Sequence, residues 1–184
     1  MKSKQFLQKL INDLRVELLD EFDRNFERKG FFNKPWPARK IGRKGSLLTV
    51  RGGGGLRGSL KATANQNSVT FTSSLPYAAI HNEGGTITVT AKMKRFFWAK
   101  YYEAGGKVKQ KKSGGITKSS ARYSEEAEFY KNLALMKVGS KITMPERRFI
   151  GHAPEVDEAV NRVVKKNFKD VENYIKSLLI QPKK

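Results

Sequence analysis

At 184 residues, with no cysteine, the chain can build one domain with a real core, and it excludes disulfides and every thiolate metal site. Hydrophobic content of 38% is low and aromatic content of 10% is too high for a disordered chain, so part is expected to be packed and part solvated. A net charge of +20 calls for a polyanion or an acidic protein surface nearby, while no apolar run approaches the roughly 18 residues of a membrane span and no signal-peptide core follows Met1–Lys9. A soluble protein of a bacterial cytoplasm, with no membrane partner, is the expectation.

From Lys4 to Lys29 the apolar residues Phe6, Leu7, Leu10, Ile11, Leu14, Leu18, Phe22 and Phe26 recur every three or four positions. That spacing predicts an amphipathic helix with one buried stripe, closed by Gly30 as a left-handed terminator and by the Pro35-Trp36-Pro37 that follows. Trp36, held between two prolines, reads as an anchor for the exit loop. Residues 38–58 are basic and glycine-rich, with four glycines in a row at Gly52–Gly55, and predict a flexible loop. The run lacks the Gly-Lys-Ser/Thr ending and the preceding strand of a phosphate-binding loop.

Ser59–Asn65 and Val69–Ser74, joined by Gln66-Asn67-Ser68, predict a hairpin with one buried face. Pro76 ends it, Tyr77–Asn82 predicts a helical turn, and Thr86–Thr90 predicts a third strand beyond Gly84-Gly85. A fourth strand is expected near Lys141–Met144. Pro154, with Glu155, Asp157 and Glu158 behind it, opens a last helix whose stripe Val156, Val160, Val163, Val164, Phe168, Val171, Ile175, Leu178 and Leu179 runs to Pro182. The fold class expected is α+β: a small antiparallel sheet packed by two long terminal helices.

Between these lies a segment of different character. Residues 91–141 hold 13 basic against 4 acidic side chains, the largest excess in the chain. A helix is predicted from Ala91, with Met93, Phe96, Phe97, Lys100 and Tyr101 on one side, and a second from Ser124 through Tyr130, Leu133 and Met136. Gly105–Arg122 between them is rich in Gly, Lys and Ser and is expected to be disordered alone and to order against a partner. The organisation expected is a single domain over 1–184, with an α+β core at 1–90 and 141–181 and a basic arm at 91–140.

Reactive chemistry is sparse. His81 and His152 have no local metal spacing, and a zinc site built from them with Glu83 is disfavoured against a capping role for His81. No serine sits in a nucleophile elbow, and Glu83 and Glu146 beside basic residues are the weak candidates for a nuclease site. Neither enzymatic activity nor a cofactor is expected. The stretch Lys92-Met93-Lys94-Arg95-Phe96-Phe97-Trp98 with Lys100, Tyr101 and Tyr102 reads as a subunit interface ahead of a single-strand stacking surface. Lys92, Lys94, Arg95, Trp98, Lys107, Lys109, Lys111 and Lys112 are the candidates for a partner or DNA contact, and a solvated basic loop is the plain alternative for the lysine run.

Three stretches in order carry a resemblance: Leu47-Leu48 with Gly55-Leu56-Arg57-Gly58-Ser59-Leu60, then Tyr77-Ala78-Ala79-Ile80-His81-Asn82-Glu83-Gly84-Gly85, then Met144-Pro145-Glu146-Arg147-Arg148-Phe149-Ile150-Gly151. Together with the Pro-Trp-Pro after the first helix, they resemble the phage virion morphogenesis, or tail-completion, family, which includes Mu-like tail-assembly proteins. The matching covers about residues 1–90 and 140–180. Trp36, Leu56, Arg57, Ser59, Tyr77, His81, Gly84, Gly85, Pro145, Arg147 and Phe149 are the motif and interface positions so implied; Arg148 departs from the pattern, since relatives commonly carry proline there. The resemblance implies a structural virion protein of a tailed phage or prophage, completing the tail and joining it to the head. It implies a homo-oligomeric ring at the neck, a hexamer being one candidate size, with connector and tail-tube or terminator proteins as neighbours. A basic nucleic-acid-binding protein using the 91–140 arm is the alternative.

Overall fold

The computed structural model describes residues 3–38, 48, 55–105 and 118–179. The chain divides into two compact units, one formed by 1–37, 45–83 and 146–184 and the other by 38–44 and 84–145. The expected arm boundaries, 91 and 140, both fall inside the second unit.

In the first unit, helix α1 (Ser3–Arg28) runs antiparallel to helix α6 (Pro154–Leu179). Leu18 and Phe22 of α1 bury against Ala159 of α6, with Val156 and Val160 packed on the same cluster. Each fully buried side chain of this size contributes on the order of 2 kcal/mol. Further along, the helices are joined by polar groups. Lys9 Nζ donates to Asn167 Oδ1 at 3.0 Å, and Asn167 Nδ2 donates to Asp13 Oδ2 at 3.0 Å. Pro154 and the acids Glu155 and Asp157 open α6 as its sequence predicts, because the first turn needs no backbone donor and favours negative charge.

Gly30 is not the left-handed terminator expected of it. Lys29 takes that conformation, at φ 55°, and Gly30 begins strand β1 (Gly30–Phe31), which pairs with β2 (Lys34–Pro35). Glycine is required there for space: a Cβ would lie 2.6 Å from the Lys34 carbonyl oxygen. After the turn, the Trp36 amide donates to the Lys29 carbonyl at 2.8 Å, which closes the loop.

A single turn of helix, α2 (Leu56–Ser59), leads into the hairpin β3 (Leu60–Ala64) and β4 (Val69–Ser73), with Leu60 opposite Ser73 and Ala64 opposite Val69. Asn65 Oδ1 accepts the amides of Asn67 and Ser68 and so shapes the turn. Phe71 then meets Phe22 edge-on, with ring centroids 5.0 Å apart. Helix α3 (Ala78–Glu83) completes the unit.

In the second unit, β5 (Gly85–Thr88) pairs antiparallel with β6 (Lys141–Met144), and the pairing continues through the fully buried Val89, whose amide donates to Ser140 and whose carbonyl accepts from Gly139. From this ladder rise α4 (Ala91–Gly105) and α5 (Lys118–Leu135), packed together as an antiparallel helical hairpin. Thr90 caps α4 by accepting the Met93 amide, and the buried Ala127 and Ala134 let the two helices approach.

The α+β class is as the sequence predicts, and among the described residues the strands pair as three two-stranded antiparallel ladders. Pro76 and α3 separate the hairpin from β5, so β5 finds its partner in β6, on the far side of the helical hairpin. Two further differences lie in the helices. Helix α5 begins at Lys118, upstream of Ser124, because no glycine or proline interrupts Lys118–Ser124; Lys118–Arg122, expected within the disordered stretch, is therefore helical. On α4, the side predicted to hold Met93, Phe96, Phe97, Lys100 and Tyr101 is divided: Phe96 is 54% exposed while Phe97 and Trp98 are half-buried, since 93, 97, 101 and 104 centre the packed face.

Candidate functional site

The second and third motif stretches meet at α3. The His81 carbonyl accepts the Arg147 amide at 2.8 Å, and Asn82 Oδ1 accepts two successive amides, those of Phe149 (2.9 Å) and Ile150 (3.1 Å). A side-chain carbonyl thus satisfies backbone donors that have no strand beside them. From the opposite side, the fully buried Asn25 of α1 donates to the Phe149 carbonyl at 3.2 Å and accepts the Phe32 amide at 2.9 Å. Trp36 Nε1 donates to the Arg148 carbonyl at 2.6 Å, and Arg147 Nε to the Pro37 carbonyl at 3.0 Å. The Phe26 ring packs between Phe149 and Trp36, with centroids 5.2 and 5.7 Å away.

The first stretch joins the same cluster. Leu56 is buried with Phe26, Trp36 and Phe149, and Leu48, at φ 61°, packs against them. Ser59 Oγ donates to the Leu56 carbonyl at 2.8 Å and lies 2.7 Å from Ser73 Oγ. Arg57 reaches back to α1, donating to Asp23 at 2.7 Å through Nε and to Glu27 at 2.7 Å through Nη2. The hydrogen bond to Asp23, then that to Glu27, raises its pKa above the ordinary arginine value, so it is a permanent cation.

Trp36, Leu56, Ser59, Arg147 and Phe149 are accordingly buried, and their side chains serve these internal contacts. Tyr77 is exposed, with its ring edge-on to His81 at 6.0 Å. Gly84 and Gly85 take φ of 72° and 138°, which side chains rarely adopt, and Pro145 directly follows β6. Arg148 lays its guanidinium 5.8 Å from the Phe31 ring centre and pairs with Glu146 at 3.1 Å.

Burial, and next the charge of Arg147, lower the His81 pKa, so the ring is neutral, with Nδ1 buried and unpartnered. His152 is exposed and pairs with Asp157 at 3.3 Å. Among the described residues no three His, Cys, Asp or Glu side chains converge to hold a metal, so the grouping of His81, Glu83 and His152 is not formed. Beside the junction, an open groove of about 670 Å³ is lined by Phe31, Trp36, Arg148, His152, Pro154 and Glu155 among others, with no hydroxyl or thiol nucleophile in its wall.

The candidate contact residues of the second unit divide by face. Lys92 and Arg95 are exposed on α4, together with Phe96 and Tyr102, whereas Lys94 and Trp98 are half-buried toward the packed side. Trp98 stacks with Tyr102 at 6.1 Å. Lys107, Lys109, Lys111 and Lys112, and most of the glycine run at 42–55, lie outside the described residues.

Asn25 and Asn82 hold the junction together, yet reading the sequence singled out neither. Asn25 had a signal: it interrupts the stripe between Phe22 and Phe26 at a position that must face the core. Arg57 showed no sign of its two acidic partners on α1.

The model of the phage virion morphogenesis family matches residues 3–169. The chain belongs to that family. The matched span takes in the helical hairpin as well as the motif junction, so all of the second unit and most of the first unit of this virion morphogenesis protein fall inside it. No curated protein and no solved structure matches the chain. Among the described residues, no helix of this family member is long and apolar enough to cross a membrane.

Proposed function

We propose that this virion morphogenesis protein completes the phage tail and joins it to the head, as a subunit of a homo-oligomeric ring at the neck. The family match over 3–169 carries the reading. The role is structural and not enzymatic, and its neighbours are connector proteins on one side and tail-tube or terminator proteins on the other. The motif residues support this by what they build: a body whose two distant stretches are tied through Asn25, Asn82 and Trp36, their side chains spent on internal contacts rather than on catalysis. The α4 face with Phe96 and Tyr102 exposed, at 54% and 67%, is the surface such docking would cover.

Deleting the gene in its phage or prophage, inducing, and viewing the lysate by negative-stain electron microscopy tests the proposal. Filled heads separate from unattached or malformed tails, restored by complementation, are the expected result. Normal infectious particles would overturn it.

A second reading rests on Lys92 and Arg95 lying on the same exposed face as the two rings, an arrangement that also suits stacking and phosphate contact on a nucleic acid. It predicts DNA affinity that falls steeply with salt, measurable by fluorescence anisotropy.

A further inference from the structure

The two helices of the α4–α5 hairpin turn opposite charges outward. On α4 the exposed positions Lys92, Arg95, Phe96, Ala99 and Tyr102 recur every three or four residues and form one face. Its exposed acid, Glu103, is paired with Lys100 at the helix's own surface. On α5 the exposed positions Glu125, Glu128, Asn132 and Leu135 do the same, with Phe129 half-buried at the rim and Leu135 59% exposed. Each face points away from the partner helix, because the packed sides, centred on Phe97 and Ala127, face one another. Over Lys92–Tyr102 the hairpin is thus cationic and aromatic, and over Glu125–Leu135, on its other side, anionic and apolar.

This segregation is unexpected for the composition. Only four acids occur between 91 and 141, and three of them, Glu125, Glu126 and Glu128, fall within about one turn of α5. A hairpin meant only to meet DNA or an acidic protein would gain nothing from collecting anions on its reverse side. The acidic face does suit a cationic, ring-bearing face, and the chain carries one of matching length. Lys92–Tyr102 and Glu125–Leu135 each hold eleven residues, about 15 Å of helix from the first Cα to the last.

We propose that the α5 face of one copy receives the α4 face of the next, so that Lys92 and Arg95 meet Glu125 and Glu128 of a second copy while Phe96 and Tyr102 cover Phe129 and Leu135. The contact joins two different surfaces of the same protein, which propagates from copy to copy and closes when the rotation between copies permits. It rests on the ring reading above and names the surface that would make the ring. Charge fixes the pairing of the faces and the rings supply the buried apolar area.

A charge exchange on the purified full chain tests it, with mass read by light scattering and folding checked by circular dichroism. Wild type should assemble beyond the 20.8 kDa monomer. Lys92→Glu with Arg95→Glu should lose the assembly, and so should Glu125→Lys with Glu128→Lys, both remaining folded because all four positions are exposed. An equal mixture of the two variants, or all four changes in one chain, should regain it. Assembly retained in either double variant, or no recovery in the four-fold variant, would overturn the pairing while leaving the ring reading in place. A wild type that stays monomeric at low and high concentration would overturn self-association on any surface, and the gene-deletion phenotype would still judge the tail-completion role separately. Double variants that assemble normally but fail to complement the deletion would assign the α4 face to another partner, against this proposal.

Discussion

Asn82 Oδ1 lies 2.9 Å from the Phe149 amide nitrogen, and through that bond a residue of one motif stretch holds the backbone of another 67 positions away. The same oxygen accepts the Ile150 amide. Asn82→Ala leaves two partly buried donors without an acceptor and is expected to lower stability by about 1–3 kcal/mol. Asn82→Asp keeps the acceptor and should lose less. Urea unfolding midpoints check both, and an alanine variant unfolding with wild type would refute the role.

Asn25 makes the matching contact from α1 with its donor and acceptor both engaged. Asn25→Leu keeps the branching and heavy-atom count of the side chain and continues the apolar stripe, so a hydropathy argument alone expects a gain. The structure expects the reverse, a loss of about 2 kcal/mol, since the Phe149 carbonyl and the Phe32 amide would lose their partner. The sign of the shift in thermal midpoint decides between them.

Glycine at 30 and glycine at 139 answer different needs. A methyl at 30 would collide with the Lys34 backbone at 2.6 Å, and no side chain is available to move aside. At 139 nothing lies within 4 Å, and only the φ of 91° resists a side chain. Gly139→Ala should therefore cost about 1–2 kcal/mol in backbone strain, whereas Gly30→Ala should open the β1–β2 turn and cost more, as chemical denaturation of the two variants would show. Equal losses would remove the distinction.

Because burial and Arg147 hold the His81 pKa below its ordinary 6.5, the unfolded chain takes up this proton at a higher pH than the folded chain does. The contribution of neutral His81 is complete above about pH 6.5 and is lost as the pH falls from there toward the folded pKa. Stability of wild type should thus decline on acidification through that window more steeply than that of His81→Gln, which cannot titrate. Parallel stability curves for the two proteins between pH 8 and pH 5 would exclude the effect; these limits bracket roughly the range in which histidine titrates.

Where contacts are local or periodic, the residues announce them. The stripes of α1 and α6, the Asn65 turn and the Pro154 helix start are all legible because each depends on neighbours a few positions away. The pairing of β5 with β6 is not, since nothing in Gly85–Thr88 points across two helices to Lys141–Met144. The aromatic run on α4 shows how narrow the margin is. Phe96 and Trp98 are both large and both plausible inside, and the helical phase set by Met93, Phe97 and Tyr101 decides between them only once α5 is in place. At the junction, the motif letters Trp36, Arg147 and Phe149 are visible, but the partners that explain them are two asparagines and four backbone carbonyls, which carry no hydropathy signal. The basic loop beyond Gly105 gave charge without position.

Gly85 pairs with Met144, so the stretch 84–145, which makes up most of the second unit, enters and leaves through neighbouring residues of a single ladder. It is a cassette with a zipped base. Residues added or removed beyond that base change what the helices reach without rethreading the body that Asn25, Asn82 and Trp36 hold together. A lineage can therefore refit this protein to a new neighbour by editing one contiguous stretch of gene.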